Sequence, residues 1–199
     1  RVLVVKRYDR IVQDDGAILR VHQEDLCQAL SVHPAKKYES DGGPSAGDLG
    51  RIVDEVSAGT DTRRLHDALV YHWLTMSTDG HAKNFSLLLS GAQTRLAPMY
   101  DVASGLPHLH PQKAKLAHKI GGENRPARIQ WRHWERLARS IKLDPDESRS
   151  RIRSMIERVP DAFADAARNP AFTDAERRIA ATIAQQITNW TQTAIRTPP

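Results

Sequence analysis

Ser77-Thr78-Asp79-Gly80-His81-Ala82-Lys83-Asn84-Phe85-Ser86 is the stretch on which the reading of this 199-residue chain turns. Upstream, Leu65, Ala68, Leu69, Trp73 and Met76 fall along one stripe of a helix that starts at Asp61 or Thr62. Downstream, Phe85 to Leu89 and Arg95 to Ala97 read as a hairpin across Ser90 to Thr94, with Pro98 ending its second strand. The stretch is therefore a loop between a helix and a hairpin. Phosphoryl transfer asks for a carboxylate to take the proton of an attacking hydroxyl, and for hard oxygen ligands that hold Mg²⁺ on the phosphates. Asp79, four intervening residues and Asn84 have that spacing, and Tyr100-Asp101 brings a second carboxylate where the hairpin returns the chain. Asp79 is the candidate base, and Asn84 and Asp101 are the candidate metal ligands. Lys83 can set an ammonium against a transferred phosphate, and His81 contacts nucleotide or orients Asp79. Each residue alone has a plain explanation as turn or cap; the succession of helix, loop, hairpin and Tyr-Asp is what makes the constellation specific.

Outward from this loop the chain reads as mostly α with a few short strands, an α+β lobe. Residues 1 to 8 look like a strand, a turn at Gln13-Asp14-Asp15-Gly16 leads to a second strand over 17–21, and Gln23 to Leu30 looks like a short helix. Lys37 to Pro44 is a loop by composition. Ser45 can cap a helix carrying Leu49, Ile52, Val53 and Val56, which Gly59 ends. From Trp131 the pattern is helical, with Trp134, Leu137, Ala138 and Ile141 on one face and Arg132, Arg136 and Arg139 opposite. Asp144-Pro145 opens another helix, and Ile179, Ile183, Ile187 and Trp190 mark a last one.

Composition bounds the function. Hydrophobic residues make up 40% and charged residues 27%, as in globular domains, and no apolar run is long enough to span a bilayer. One Cys allows no internal disulfide, so a soluble protein of the cytoplasm is expected, with Cys27 packing as a small apolar residue. The net charge of +5 is uneven, because between Lys113 and Arg153 twelve Lys/Arg stand against five acids. Such a bias suits a polyanion such as nucleic acid, or simply a solvated basic face. His108 and His110 lack neighbouring ligands and read as surface residues.

Five blocks resemble the C-terminal domain of the HipA family of kinases, the toxin half of HipBA toxin-antitoxin pairs: Lys6-Arg7-Tyr8-Asp9-Arg10, Gln23-Glu24-Asp25-Leu26-Cys27-Gln28, Lys37-Tyr38-Glu39-Ser40-Asp41-Gly42-Gly43-Pro44, Thr78 to Ser86, and Tyr100-Asp101. They span most of residues 1 to 142, and the resemblance weakens beyond residue 145. It implies the large, helical lobe of a HipA-like, phosphoinositide-kinase-like protein kinase fold, with a hinge strand and hairpin over 1–22, a catalytic core over 23–143 and C-terminal helices over 144–199. It implies an ATP- and Mg²⁺-dependent Ser/Thr kinase that acts on a translation-related protein such as an aminoacyl-tRNA synthetase and causes growth arrest and persistence. Carried over, Asp79 is the base and Asn84 and Asp101 bind Mg²⁺. Lys6, Arg7, Tyr8, His81, Lys83, Asn84, Tyr100 and Asp101 bind ATP, with Tyr8 covering the adenine.

The resemblance also implies a helix-turn-helix antitoxin of the HipB type as partner, and operator DNA, met through Arg132, Arg136, Arg139 and Lys142. Ser77-Thr78 replaces the His-Arg of ordinary kinases and no Gly follows Val102, which speaks against activation-loop control of the eukaryotic kind. Nothing before Lys6 offers a phosphate-covering loop or an ATP lysine, so a small lobe is expected to be missing and the chain alone to be weak or inactive. A non-catalytic module that binds DNA and antitoxin is the alternative.

Overall fold

The computed structural model describes residues 4–196. Five short strands and six helices follow one another as β1 (Arg10–Val12), β2 (Ile18–Arg20), β3 (His22–Asp25), α1 (Leu26–Ala29), α2 (Ala46–Val56), α3 (Thr62–Leu74), β4 (Ser86–Ser90), β5 (Gln93–Leu96), α4 (Trp131–Ser140), α5 (Pro145–Ala167) and α6 (Asp174–Arg196). The α+β class expected from sequence is what forms. β1 and β2 make a hairpin closed at Gly16, whose φ of 82° suits a residue without Cβ. Its side chains stay largely in solvent: Ile11, Val12 and Ile18 are 50%, 70% and 65% exposed. β3, β4 and β5 form an antiparallel sheet with β4 central, in which Glu24 faces Leu87 and Leu87 faces Leu96.

The helix starts follow local chemistry. Ser45 and Asp48 make a reciprocal capping box at the head of α2, and the Asp144 carboxylate accepts from the N–H groups of Asp146 and Glu147 ahead of Pro145 in α5. The apolar stripes then converge: Leu49 and Val53 of α2, Leu65, Leu69 and Trp73 of α3, and Trp134 and Leu137 of α4 are buried in one core. Close approach of α2 to the end of α4 depends on Gly50, where a Cβ would lie 2.1 Å from Cγ2 of Ile141. Trp73 is the centre of an aromatic group with Trp134 and Trp190 at 5.5 and 6.3 Å between centroids. Its indole donates to the Pro126 carbonyl at 3.1 Å, and the Trp190 indole of α6 donates to the Trp73 carbonyl at 3.0 Å. The last turn of α3, which leads into the loop at Asp79, is thus clamped from both sides.

Three expectations change. The strand expected over residues 1–8 begins outside the described residues, and residues 4–7 run without regular structure; β1 lies further on, at Arg10–Val12. Gln23 to Leu30 is split, because His22–Asp25 pairs with β4 and Asp25 then caps α1 by accepting from the N–H of Gln28. α4 stops at Ser140, so Lys142 is not on that helix but beyond it, in a left-handed turn with φ of 57°. Among the described residues no helix is long and apolar enough to cross a membrane.

Candidate active site

α3 ends abruptly. Met76 takes φ of 53° and its carbonyl accepts from Gly105 N–H at 2.9 Å, so the chain leaves the helix axis just before Asp79. Asp79 is exposed, whereas His81 and Asn84 are buried at 6% and 5%. A single 3-10 turn over Ala82–Asn84 carries the chain into β4, and within it the Asn84 N–H bonds the His81 carbonyl at 2.8 Å. Gly80 is packed on His72, where a Cβ would come within 2.7 Å of the ring. Phe85 stands edge-on between His72 and His118, at 5.6 and 6.0 Å. Burial pushes both of these histidines down to about 4, so the loop rests on two neutral imidazoles.

The hairpin brings Asp101 back beside Asn84. Asn84 Nδ2 donates to Asp101 Oδ2 at 2.7 Å across 17 residues, while Asn84 Oδ1 accepts from the His81 N–H at 3.2 Å. Asp101 sits at φ of 55°, a left-handed conformation that a non-glycine residue occupies at a cost on the order of 1 kcal/mol. The residue before it is fixed: the Tyr100 hydroxyl donates to the Lys83 carbonyl at 2.6 Å and lies 2.5 Å from Ser86 Oγ. Burial raises the Tyr100 phenol to about 12. The Tyr8 ring leans over Tyr100 at 6.5 Å between centroids and 30° between planes.

Beside Tyr100 and β3 lies a polar cavity of about 210 Å³ lined by Arg7, Asp25, Lys83 and Tyr100 among others. Lys83 enters it as half of an ion pair, its Nζ 2.6 Å from Asp25 Oδ2. Its ammonium is committed to the Asp25 carboxylate in this arrangement, with the Lys83 side chain still 37% exposed. Arg7 is similarly committed, because with Arg10 it grips the buried Asp9 carboxylate at 2.5 to 2.7 Å. The Arg7 bond leads in holding that carboxyl far below its usual range. Lys6 is exposed beside it.

Sequence reasoning gave no role to Tyr38, Asp25 or Asp9. All three lie in blocks already conspicuous for their density of charged and aromatic residues. Tyr38 matters most, because its hydroxyl donates to Oδ1 of Asp79.

Oxygen chemistry at Asn84 and Asp101 fits Mg²⁺, a hard cation that usually takes one or two protein oxygens and completes its shell with water and phosphate. Among the described residues no group of three His, Cys, Asp or Glu converges as a metal cage.

Arg132, Arg136 and Arg139 are exposed on α4. Arg136 donates to the Gly121 carbonyl at 2.8 Å, Arg139 pairs with Glu135 at 2.8 Å, and Lys142 pairs with Asp54 at 2.7 Å. Three of the four thus already hold partners, and Lys142 lies beyond the end of α4.

Residues 1–164 match the family described as the HipA-like C-terminal domain. The chain belongs to that family. A candidate kinase of Sinorhizobium fredii, Y4mE, is 37% identical over 166 residues, which is 81% of this chain and 39% of the relative. The serine/threonine-protein kinase toxin HipA of Shewanella oneidensis is 27% identical over 183 residues, 83% of this chain and 41% of that protein. A chain of the solved Shewanella oneidensis MR-1 complex of HipA, HipB and operator DNA superposes with a TM-score of 0.81 at 22% identity, over 94% of this chain and 47% of its own. That likeness establishes the HipA fold. The chain spans about two-fifths of the length of these curated relatives.

Proposed function

We propose that this HipA-family chain is the catalytic lobe of a Ser/Thr protein kinase, with Asp79 as base. The observation that carries the reading is the Asn84–Asp101 contact at 2.7 Å, which gathers two oxygen-bearing side chains beside the loop that ends in Asp79. Asp79 accepts the acceptor hydroxyl's proton, and Asn84 and Asp101 hold Mg²⁺. When bound there, the ion supplies neutralisation of the charge that develops on the phosphates. Tyr8 and Tyr100 give the adenine an aromatic floor, and His81 is a wall against Tyr38. Because relatives are more than twice as long, the phosphate-covering loop and the ATP lysine are assigned to a second lobe that packs near the exposed apolar hairpin β1–β2. The lobe alone is a weak or inactive kinase, since positioning supplies most of the rate in phosphoryl transfer.

The family resemblance suggests a translation-related protein as phosphoryl acceptor and a helix-turn-helix antitoxin as partner, and the solved complex of HipA with HipB and operator DNA supports antitoxin and DNA as assembly partners. The exposed arginines of α4 favour a DNA-facing edge, which is also what a purely binding module would use. Calorimetry of ATP·Mg²⁺ with this chain and with Asp101→Ala tests the site. Binding lost in the variant is expected. Phosphotransfer in the natural protein containing the chain should vanish in Asp79→Ala, and its survival there would remove Asp79 from the role of base. Salt-sensitive operator binding without any nucleotide binding would favour the module.

A further inference from the structure

Tyr38 has no part in the reaction described above, although its hydroxyl reaches Asp79 Oδ1 from 41 residues away. Several contacts fix where that hydroxyl points. The Tyr38 ring stands edge-on to His81 at 5.0 Å between centroids, and the neighbouring Lys37 carbonyl accepts from the Ala82 N–H at 3.2 Å. The segment also closes on itself, with the N–H groups of Asp41 and Gly43 on the Tyr38 carbonyl at 3.1 and 3.0 Å. A Cβ at Gly43 would lie 1.9 Å from the Lys36 carbonyl oxygen, so only glycine allows this turn to be so tight. Beyond Tyr38, the Glu39 carboxylate accepts from the Lys119 N–H at 2.7 Å. A firmly mounted phenol is thus presented to an exposed carboxylate for which no other side-chain hydrogen bond stands among the described residues.

We propose that Tyr38 is a positioning residue for phosphoryl transfer: by donating to Oδ1 it fixes the rotation of the Asp79 carboxylate and leaves Oδ2 as the one oxygen that takes the acceptor's proton. This rests on the reading of Asp79 as base. In the step, the acceptor oxygen bonds the γ-phosphorus of ATP while the bond from that phosphorus to the bridging oxygen of ADP breaks. The acceptor's proton passes to Oδ2 and the Tyr38 proton stays on the phenol. The bond to Asp79, ahead of partial burial, raises the Tyr38 phenol to about 12, so the donor keeps its proton well above neutrality. A base whose lone pair is aimed in advance gains rate through orientation without tighter binding of ATP.

The test compares wild type, Tyr38→Phe, and a protein carrying at position 38 a fluorinated tyrosine with a more acidic phenol, each as the natural protein that contains this chain. ADP formation from ATP·Mg²⁺, with water or dephosphorylated casein as phosphoryl acceptor, is followed across pH. Tyr38→Phe keeps the ring on His81, and its melting temperature checks the fold. The expected result is a fall in kcat of about tenfold or more with KM for ATP unchanged. In the fluorinated protein the alkaline loss of activity should move to lower pH, a shift that a merely structural tyrosine would not cause. Wild-type kcat in Tyr38→Phe, or an alkaline limb that fluorination does not move, overturns the Tyr38 role while leaving Asp79 as base. No ADP formation by wild type overturns the kinase reading and this role with it.

Discussion

Lowering the pH from 7 to 5 should destabilise this lobe by about 4 kcal/mol through two histidines, His72 and His118. Burial is the leading cause that brings both to about 4 in the folded protein, and for His118 the charge of a protonated His72 adds to it. In the unfolded chain each titrates near 6.5. Between those values the unfolded state binds more protons, so the contribution to stability is fully present above pH 6.5 and is lost as the pH falls toward 4. From pH 7 to 5 this amounts to ~2 kcal/mol for each histidine. His81 and His133 are shifted in the same direction and add to the effect. Carboxylates held low by arginine, such as Asp9 and Glu147, respond only at more acid pH. Urea unfolding at the two pH values measures the loss, which for an m-value of ~2.5 kcal/mol/M is a midpoint about 1.5 M lower at pH 5. NMR titration of the imidazole protons gives the site-specific check. A midpoint at or above 6.5 for both rings, or equal stability at the two pH values, refutes the reasoning.

Asp61 is fully buried and accepts from Arg64, from Arg95 and, at 2.6 Å, from the Leu96 N–H. Asp61→Ala should cost about 2 kcal/mol by chemical unfolding, less than a fully buried pair because both guanidinium groups remain half in water. Gly50→Ala should lower the melting temperature by about 5 °C, as the clash with Ile141 outweighs the gain in helix propensity. If operator DNA meets α4, replacing Arg132 or Arg136 by Ala should weaken binding similarly on all sequences and reduce the slope of log K against log salt by about one, read by fluorescence anisotropy.

Capped and amphipathic elements were legible in sequence because their causes are local. Ser45 with Asp48 and Asp144 with Pro145 announce α2 and α5, and the stripe from Leu65 to Trp73 announces α3. β3 was hidden because four polar-rich residues become a strand only on pairing with β4, more than sixty positions on. Asp61 reads as a helix cap, yet its carboxylate makes no cap and reaches instead across to β5. At the site, the link between Asn84 and Asp101 followed from the hairpin between them. The link between Tyr38 and Asp79 has no such local device, so Lys37 to Pro44 looked like a plain loop. The pairing of Lys83 with Asp25 was hidden for the same reason: only the folded sheet brings the two together.

The Trp190 indole that caps the Trp73 carbonyl lies 117 residues later in the chain. A ribosome therefore makes the whole site, from Tyr38 to Asp101, before it makes the residue that clamps the helix behind it. While α6 is still in the exit tunnel, the end of α3 lacks the Trp190 indole donor and one of the two aromatic neighbours of Trp73. Synthesis order thus acts as a delay, and a nascent or C-terminally clipped chain is expected to carry every site residue without the backing that aligns them.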